Sequence, residues 1–333
     1  MQFAGTRCGL VFIGSIMLLM SASVSANATL NVVTSLSQSD PMYEGLVAFK
    51  ALVEKRSQKQ ITIRIFIGSQ LGNDNDMLEQ AMLGANVAVL ADAGRLAVYQ
   101  NELGILGAPY LVEDYQQLNV LTDSELFYRW SKALAKNSGL HILSFNWWQG
   151  SRHLLTQRSV SSPSDLQGIR MRTIGAPVWI DTINAMGATP TPLAWSEVYS
   201  GLQQNVIDAA EAQLTGLYGA RLYEVISHVT KTGHIQLLSG LVGSQKWFSA
   251  LTNDEQEILY DAAYEAGIIA SARVRETEAQ IEAALISQGV SVDEVDITLF
   301  TEATNKVYSR LGYTQLRAEV SALLKRAGND PVQ

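Results

Sequence analysis

An arginine near the carboxyl end of a strand is the residue in this chain best placed to hold an anion. Within Asp165 to Tyr218, the segment Ile169 to Ile174 alternates, with Ile169, Met171 and Thr173 on one face and Arg170, Arg172 and Ile174 on the other. That period of two is a β-strand's. A second short strand, Val206 to Ala212, ends at Glu211-Ala212-Gln213. In open α/β sheets ligands sit beyond such carboxyl ends. A guanidinium there can grip a carboxylate through two parallel hydrogen bonds, which a lysine cannot reproduce. Arg172 can equally be a structural arginine paired with Glu211 or Asp208, and the pattern leaves both readings open.

Reactive constellations are missing. There is no G-x-S-x-G elbow, no G-x-G-x-x-G and no Walker loop. His141, His153, His228 and His234 lack zinc-ligand spacing. The chain therefore reads as a binder, not an enzyme, with no catalytic residue, cofactor or metal. A formal charge of −8 argues against nucleic acid or an anionic membrane surface as partner. It does not exclude a small anion held in a local arginine pocket.

The elements that must position these groups can be read in order. Arg7 precedes an apolar run, Leu10 to Met20, and Val24-Ser25-Ala26 fits a signal-peptidase site, so 1–26 reads as a signal peptide cleaved before Asn27. A retained anchor is the alternative, although the run is short for a bilayer. Cleavage removes Arg7 and Cys8, taking the charge from −8 to −9 and leaving no cysteine for a disulfide or thiolate. Export without disulfides points to a bacterial periplasm.

At 333 residues there is length for two domains. Strands at Thr29–Ser35, Ile61–Ile67 and Asn86–Ala91 alternate with helices at Pro41–Arg56 and Asp74–Leu83, a βαβαβ order that implies a parallel sheet. Polar residues collect at the strand ends: Ser35 and Gln38, then Gly68 to Asn73, then Asp92. Asp92 can alternatively cap a helix. His141–Ser144 reads as a strand crossing to a second domain. The adjacent Trp147 and Trp148 that follow cannot share one strand face, so one packs inside and Trp148 is assigned to the cleft. Pro177 opens a helix to Met186 that Gly187 stops, Trp195–Gln204 is a second helix, and Gln213–Tyr218 is polar and aromatic. Thr252 and Glu255 form a capping box opening a helix that runs to Gln288, about 54 Å at 1.5 Å per residue. Such a helix must cross both domains. A strand, Val290–Val295, and helices near Thr298–Leu311 and Thr314–Arg326 complete the chain.

Three stretches, SPSDLQGIRMRT, MGATPTPLAWSEVYSGLQQNVIDAAE and RLYEV, resemble the substrate-binding subunit of TRAP (tripartite ATP-independent periplasmic) transporters, the family of C4-dicarboxylate and sialic-acid receptors. The resemblance extends from IGSQLGNDNDMLEQ to LTNDEQEIL, most of the mature chain. It implies an α/β, two-lobed periplasmic binding protein with a hinge, two crossovers and a long helix spanning both lobes. Lobe I would comprise 27–145 plus about 236–275, and lobe II 146–235 plus about 276–333. Lys231–Ile235 matches the second crossover, where His234 would touch ligand or stabilise the hinge. Arg172 would bind the ligand carboxylate, Arg152 add a second contact, Trp195 cover the pair and Asp92 supply an acidic group. Ser35, Gln38, Asn73, Trp148, Glu211, Gln213 and Tyr218 complete the expected site.

The chain departs from the family pattern at Ala212 and Gly175, where relatives carry asparagine, and at Ala209, where they carry glycine. Either Gln213 replaces the amide missing at Ala212 by reaching from the next position, or the ligand offers fewer polar groups there; a smaller or partly apolar organic acid is expected over sialic acid or a hexuronate. The implied partners are a carboxylate ligand and the small and large membrane subunits of a TRAP permease, with no ATP site. The alternative is a periplasmic receptor serving a sensor or another importer. A monomer is expected, with a dimer as the other possibility.

Overall fold

The computed structural model describes residues 28–329, so the expected signal peptide lies outside the described residues. Alternating aliphatic residues start the sheet. β1 (Ala28–Val33) pairs in parallel with β2 (Ile61–Phe66) and β3 (Val87–Asp92), with Leu30 opposite Ile63 and Val32 opposite Ala88. α1 (Pro41–Arg56) starts where the Asp40 side chain accepts from the Met42 amide. α2 (Asp74–Met82) starts on a capping box between Asn73 and Asp76. Asp92 caps the short α3 (Ala93–Leu96), which leads into a 3-10 turn, Asn101–Gly107.

α4 (Tyr115–Thr122) and α5 (Glu125–Ser138) follow, and Gly139, at φ 76°, stops α5 in the left-handed conformation glycine favours. β4 (Leu140–Thr156) runs unbroken for 17 residues, so the expected strand at His141–Ser144 is only its first part. Next come β5 (Arg170–Thr173), α6 (Pro177–Ala185), β6 (Thr189–Pro192), α7 (Val198–Gln203), β7 (Ala209–Gln213) and α8 (Leu214–Gly219). β8 (His228–Ser244), α9 (Gln245–Phe248), α10 (Asn253–Ser287), β9 (Ser291–Glu294), α11 (Thr298–Thr304), α12 (Lys306–Arg310) and α13 (Thr314–Asn329) close the chain.

The strand order is β2-β1-β3-β8-β4-β7-β5-β6, with β9 also on β8. The parallel strands β1–β3 form one half and β5–β7 the other. β4 and β8, antiparallel and each 17 residues long, run through both as the two crossovers. The fold is α/β and two-lobed. Its apolar residues form one large cluster centred on the β1–β3 half, which Ile174, Ala176, Val178, Trp179 and Ala185 join from α6 and the segment between it and β5, and two smaller ones around β5, β7 and their helices.

α10 is 35 residues long, about 52 Å. It packs on α1 and β4, then on α8 and β9, and so spans both halves. Small residues make the close approach possible. A Cβ at Gly267 would stand 2.3 Å from Asn146 Oδ1, and one at Gly45 2.6 Å from the Ala270 Cβ.

Three features differ from expectation. β6 contains Pro190 and Pro192, and it survives as an edge strand paired only with β5, where missing donors do no harm. The expected helix at Trp195 opens as a 3-10 turn, Trp195–Glu197. The last two helices complete the β1–β3 half and not the second lobe. Val307, Tyr308, Tyr313 and Val320 join the large cluster, and the Tyr313 hydroxyl donates to the Asn101 carbonyl at 2.9 Å.

Candidate functional site

β5 enters the molecule from its surface, and its two arginines meet different fates. Arg170, at the exposed start, donates to Asp208 through Nε at 2.9 Å and Nη2 at 2.6 Å. Arg172, two residues deeper, is 1 % exposed. Its Nε donates to the Leu193 carbonyl at 3.0 Å, and its Nη1 has no hydrogen-bond partner among the described residues. The Trp195 ring lies 5.2 Å from its guanidinium carbon. Burial pushes the Arg172 pKa down to about 9; Arg152 and Arg95 add to that, while Glu211 and Asp92 oppose it. The structural pairing with Glu211 or Asp208 is thus not formed: Asp208 belongs to Arg170 and Glu211 to Arg152.

Arg152 lies on β4 opposite Gln213 of β7. Its Nε bonds the Glu211 carboxylate, Nη2 the Glu211 carbonyl, and Nη1 the Gln213 Oε1 at 3.1 Å. Glu211 is fully buried and also accepts from Thr173 Oγ1 at 3.0 Å. Burial alone would raise its pKa, but the charge of Arg152 and its hydrogen bond bring it down to about 2. His234 Nε2 stands 3.7 Å from Glu211, too long for a hydrogen bond, so we read that contact as proximity of a neutral ring. Its Nδ1 is 2.8 Å from Thr232 Oγ1, and burial lowers its pKa.

Alternation on β7 sends Gln213 and Ala212 to opposite sides. Gln213 lines the cleft with Arg152, whereas Ala212 belongs to the apolar cluster with Leu202, Leu214 and Leu217. The Gln213 Nε2 donates to Gln149 Oε1 at 3.1 Å, and the Gln149 Nε2 to Ser239 Oγ at 2.6 Å. This chain of amides and hydroxyls ties β7 to both crossover strands.

The facing half contributes a second charged group. Arg95, one helical turn after Asp92, bonds Asp92 and lies 3.1 Å from Asp74 Oδ2. Burial would lower the Arg95 pKa, but the two carboxylates hold it above its usual range. Asp92 Oδ1 accepts from the Arg95 amide at 2.9 Å, so Asp92 both caps α3 and lines the cleft. Ser35 Oγ donates to Asp74 Oδ2 at 2.9 Å.

These groups surround about 430 Å³ of empty space, counting its open mouth. Three arginines (95, 152 and 172) face three carboxylates (Asp74, Asp92 and Glu211). Among the described residues, Arg172 alone of those arginines has no carboxylate bonded to it. Leu36, Leu90, Ile174 and Leu237 supply the apolar wall. An adjoining pocket opens past Trp195, where Asn73 and Gly175 lie. A larger groove of about 2080 Å³, between α5 and α10, lies away from this charged cluster. Among the described residues no group of three or more His, Cys, Asp or Glu side chains could hold a metal.

Of the expected site residues, Ser35, Asp92, Arg152, Arg172, Trp195 and Gln213 line the cleft, and Asn73 lines only the adjoining pocket while capping α2. Glu211 and His234 sit behind Arg152 and do not reach the space. Gln38 is exposed on the loop after β1. Tyr218 stands away from it, its ring 5.5 Å from that of Tyr223. Trp148 does not line it either; it is buried, donating to Gln236 Oε1 at 3.0 Å and packing near Tyr115. Trp147 is also buried, so both tryptophans pack inside. Sequence reasoning missed Asp74, Arg95, Gln149 and Ser239. Asp74 and Arg95 carry a faint signal, as a carboxylate after a polar strand end and a cation one turn from Asp92; Gln149 and Ser239 carry none.

The family model described as bacterial extracellular solute-binding protein, family 7, matches residues 32–315. The chain is 44% identical to a TRAP periplasmic solute-binding protein from Escherichia fergusonii solved in an apo open form, with TM-score 0.78 and coverage of 89% of this chain and 99% of that one. A relative from Ochrobacterium anthropi with bound L-fuconate is 32% identical, with TM-score 0.87, covering 90% and 100%. One from Actinobacillus succinogenes 130z with bound L-galactonate is 30% identical, with TM-score 0.85, covering 89% and 100%.

Proposed function

The chain belongs to the family-7 bacterial extracellular solute-binding proteins, and from that premise we propose that its cargo is a polyhydroxy monocarboxylate, a sugar acid, bound between the lobes. The observation that carries this reading is the Arg172 Nη1, a buried guanidinium donor of a cleft-lining residue that has no hydrogen-bond partner among the described residues. A ligand carboxylate there meets Arg172, with Arg152 beside it and Trp195 against the guanidinium. The opposite wall favours hydroxyls. Ser35, Asp74, Asp92, Gln149 and Ser239 offer acceptors and donors there, which favours a polyhydroxy acid over the partly apolar one expected from the missing asparagines. A second carboxylate on the ligand would face Asp74 and Asp92, which already share one arginine, and is disfavoured.

Shape supports a closed form. The structure is nearer to ligand-bound relatives of 30–32% identity than to the open relative of 44%. Closure around the ligand hides the carboxylate from water and strengthens its ion pair. The loaded receptor then delivers its cargo to the small and large membrane subunits of a TRAP permease, after export to the periplasm and cleavage beyond Ala26.

The test is titration calorimetry of refolded, ligand-stripped protein with L-fuconate and L-galactonate. Arg172→Ala is expected to weaken binding by roughly 100-fold or more. Equal binding by the variant would return Arg172 to a structural role, and heat only from uncharged sugars would sink the carboxylate reading.

A further inference from the structure

We propose that Trp179 is a positioning residue, a wedge that enters a slot in the opposite lobe on closure and fixes the Arg152 guanidinium for the ligand. The proposal rests on the reading of the Arg152-lined cleft as the ligand site.

Trp179 is the third residue of α6, which follows β5, and with Val178 and Ala185 of the same helix it joins the apolar cluster centred on the β1–β3 half. It is 1 % exposed. The slot is made by two glycines of that other half, Gly94 of α3 and Gly107 ending the 3-10 turn. A Cβ at Gly94 would stand 2.7 Å from the indole Nε1, and one at Gly107 2.5 Å from it. Neither glycine has a left-handed backbone, so their turn geometry does not demand glycine. What demands it is room for the indole.

The same ring also meets the site. The Arg152 guanidinium carbon lies 4.7 Å from the ring centroid. Arg152 is thus held by Glu211 and Gln213 from its own lobe, and by an indole whose seat is in the other. Closure and the placement of Arg152 are coupled through one side chain.

One feature works against closure. The Trp179 Nε1 donor has no partner among the described residues. A buried unpaired N–H opposes the state that buries it. In the open form the indole leaves the slot and Nε1 bonds water. Bound ligand supplies the compensating contacts, so that the lobes stay closed only when loaded.

The deciding measurement is water exchange at the Trp179 indole N–H in ligand-free protein, by NMR with nitrogen-15-labelled tryptophan. The signal is assigned by its loss in Trp179→Phe. Exchange on the timescale of an exposed indole is expected; protection matching that of the buried Trp147 would overturn the proposal. Gly107→Ala, with Gly94→Ala as a second variant should the first fold poorly, fills the slot. It is expected to weaken L-fuconate binding at least about tenfold while leaving the thermal midpoint of the free protein in place. A lowered midpoint with unchanged affinity would mean that Trp179 is permanently seated, and the wedge would be rejected. If the unaltered protein binds neither L-fuconate nor L-galactonate, the sugar-acid reading fails, while the exchange measurement still decides the role of Trp179.

Discussion

Arg172 donates a hydrogen bond from Nε to the Leu193 carbonyl at 3.0 Å, while its buried Nη1 has no partner among the described residues. One bond anchors the guanidinium, and the other end stays available. Holding an uncompensated charge away from water is costly, so this residue should trade stability for binding.

Arg172→Met tests that trade. The unbranched thioether fills much of the same volume without a charge. Free protein should gain about 1–2 kcal/mol by urea titration, because a lone buried cation is removed. Sugar-acid binding should be lost by calorimetry. A variant less stable than the parent would show that Arg172 supports the fold of the empty protein.

Glu211 and Arg152 make the opposite case, a buried pair that satisfies both charges. The Glu211 pKa is depressed from 4.5 to about 2. The folded state therefore holds the ionised form where the unfolded chain takes up a proton. Its contribution is complete above about pH 4.5 and is lost as pH falls toward 2. Glu211→Gln should cost about 3–5 kcal/mol at pH 7, since it leaves Arg152 unpaired. It should also flatten the fall in unfolding free energy between about pH 4.5 and 2. An equally steep acid limb would place that pH dependence on other carboxylates.

Local rules account for what could be read beforehand. Ile61 and Ile63 mark β2 by period two, Gly139 and the Thr252–Glu255 box mark helix ends, and each signal lies within a few residues of its effect. The site is less legible because its partners are far apart in sequence. Arg152 meets Glu211 across 59 residues and Gln149 meets Ser239 across 90. No local pattern decides which of Arg170 and Arg172 takes Asp208; the depth of β5 does. Alternation along a strand places Trp148 opposite Trp147 and so predicts it in the cleft. In the structure the Trp148 ring is covered as well: it lies 5.6 Å from the Tyr115 ring of α4, and its Nε1 donates to Gln236 Oε1.

Asp40 carries a stability cost outside the site. It caps α1 from a buried position, and its second oxygen, Oδ2, has no partner among the described residues. Burial raises its pKa from 3.8 to about 6, with the Met42 amide opposing. The folded state thus keeps its proton longer than the unfolded chain. Stability falls as pH rises from about 4 to 6 and stays lower above that. Asp40→Asn keeps a cap of similar quality without the charge. A gain of about 1–3 kcal/mol is expected at pH 7, vanishing below pH 4, by urea titration at both pH values. A gain of the same size at both would assign it to packing.

Trp195 is half-buried over the Arg172 guanidinium, at the mouth of the cleft. Its ring does two things there: the π face favours the cation, and its bulk keeps water from the ion pair a carboxylate would form. The first effect is worth about 0.5–2 kcal/mol and the second adds to it only when ligand is bound. Trp195→Leu keeps an apolar cover but removes the π face. It should weaken sugar-acid binding by about 3- to 30-fold, mainly through faster dissociation, because the cover acts after the ligand has entered. Stopped-flow dissociation separates the two contributions. A slower association with unchanged dissociation would make Trp195 an entry residue instead, placed to guide the acid toward Arg172 without covering it once bound.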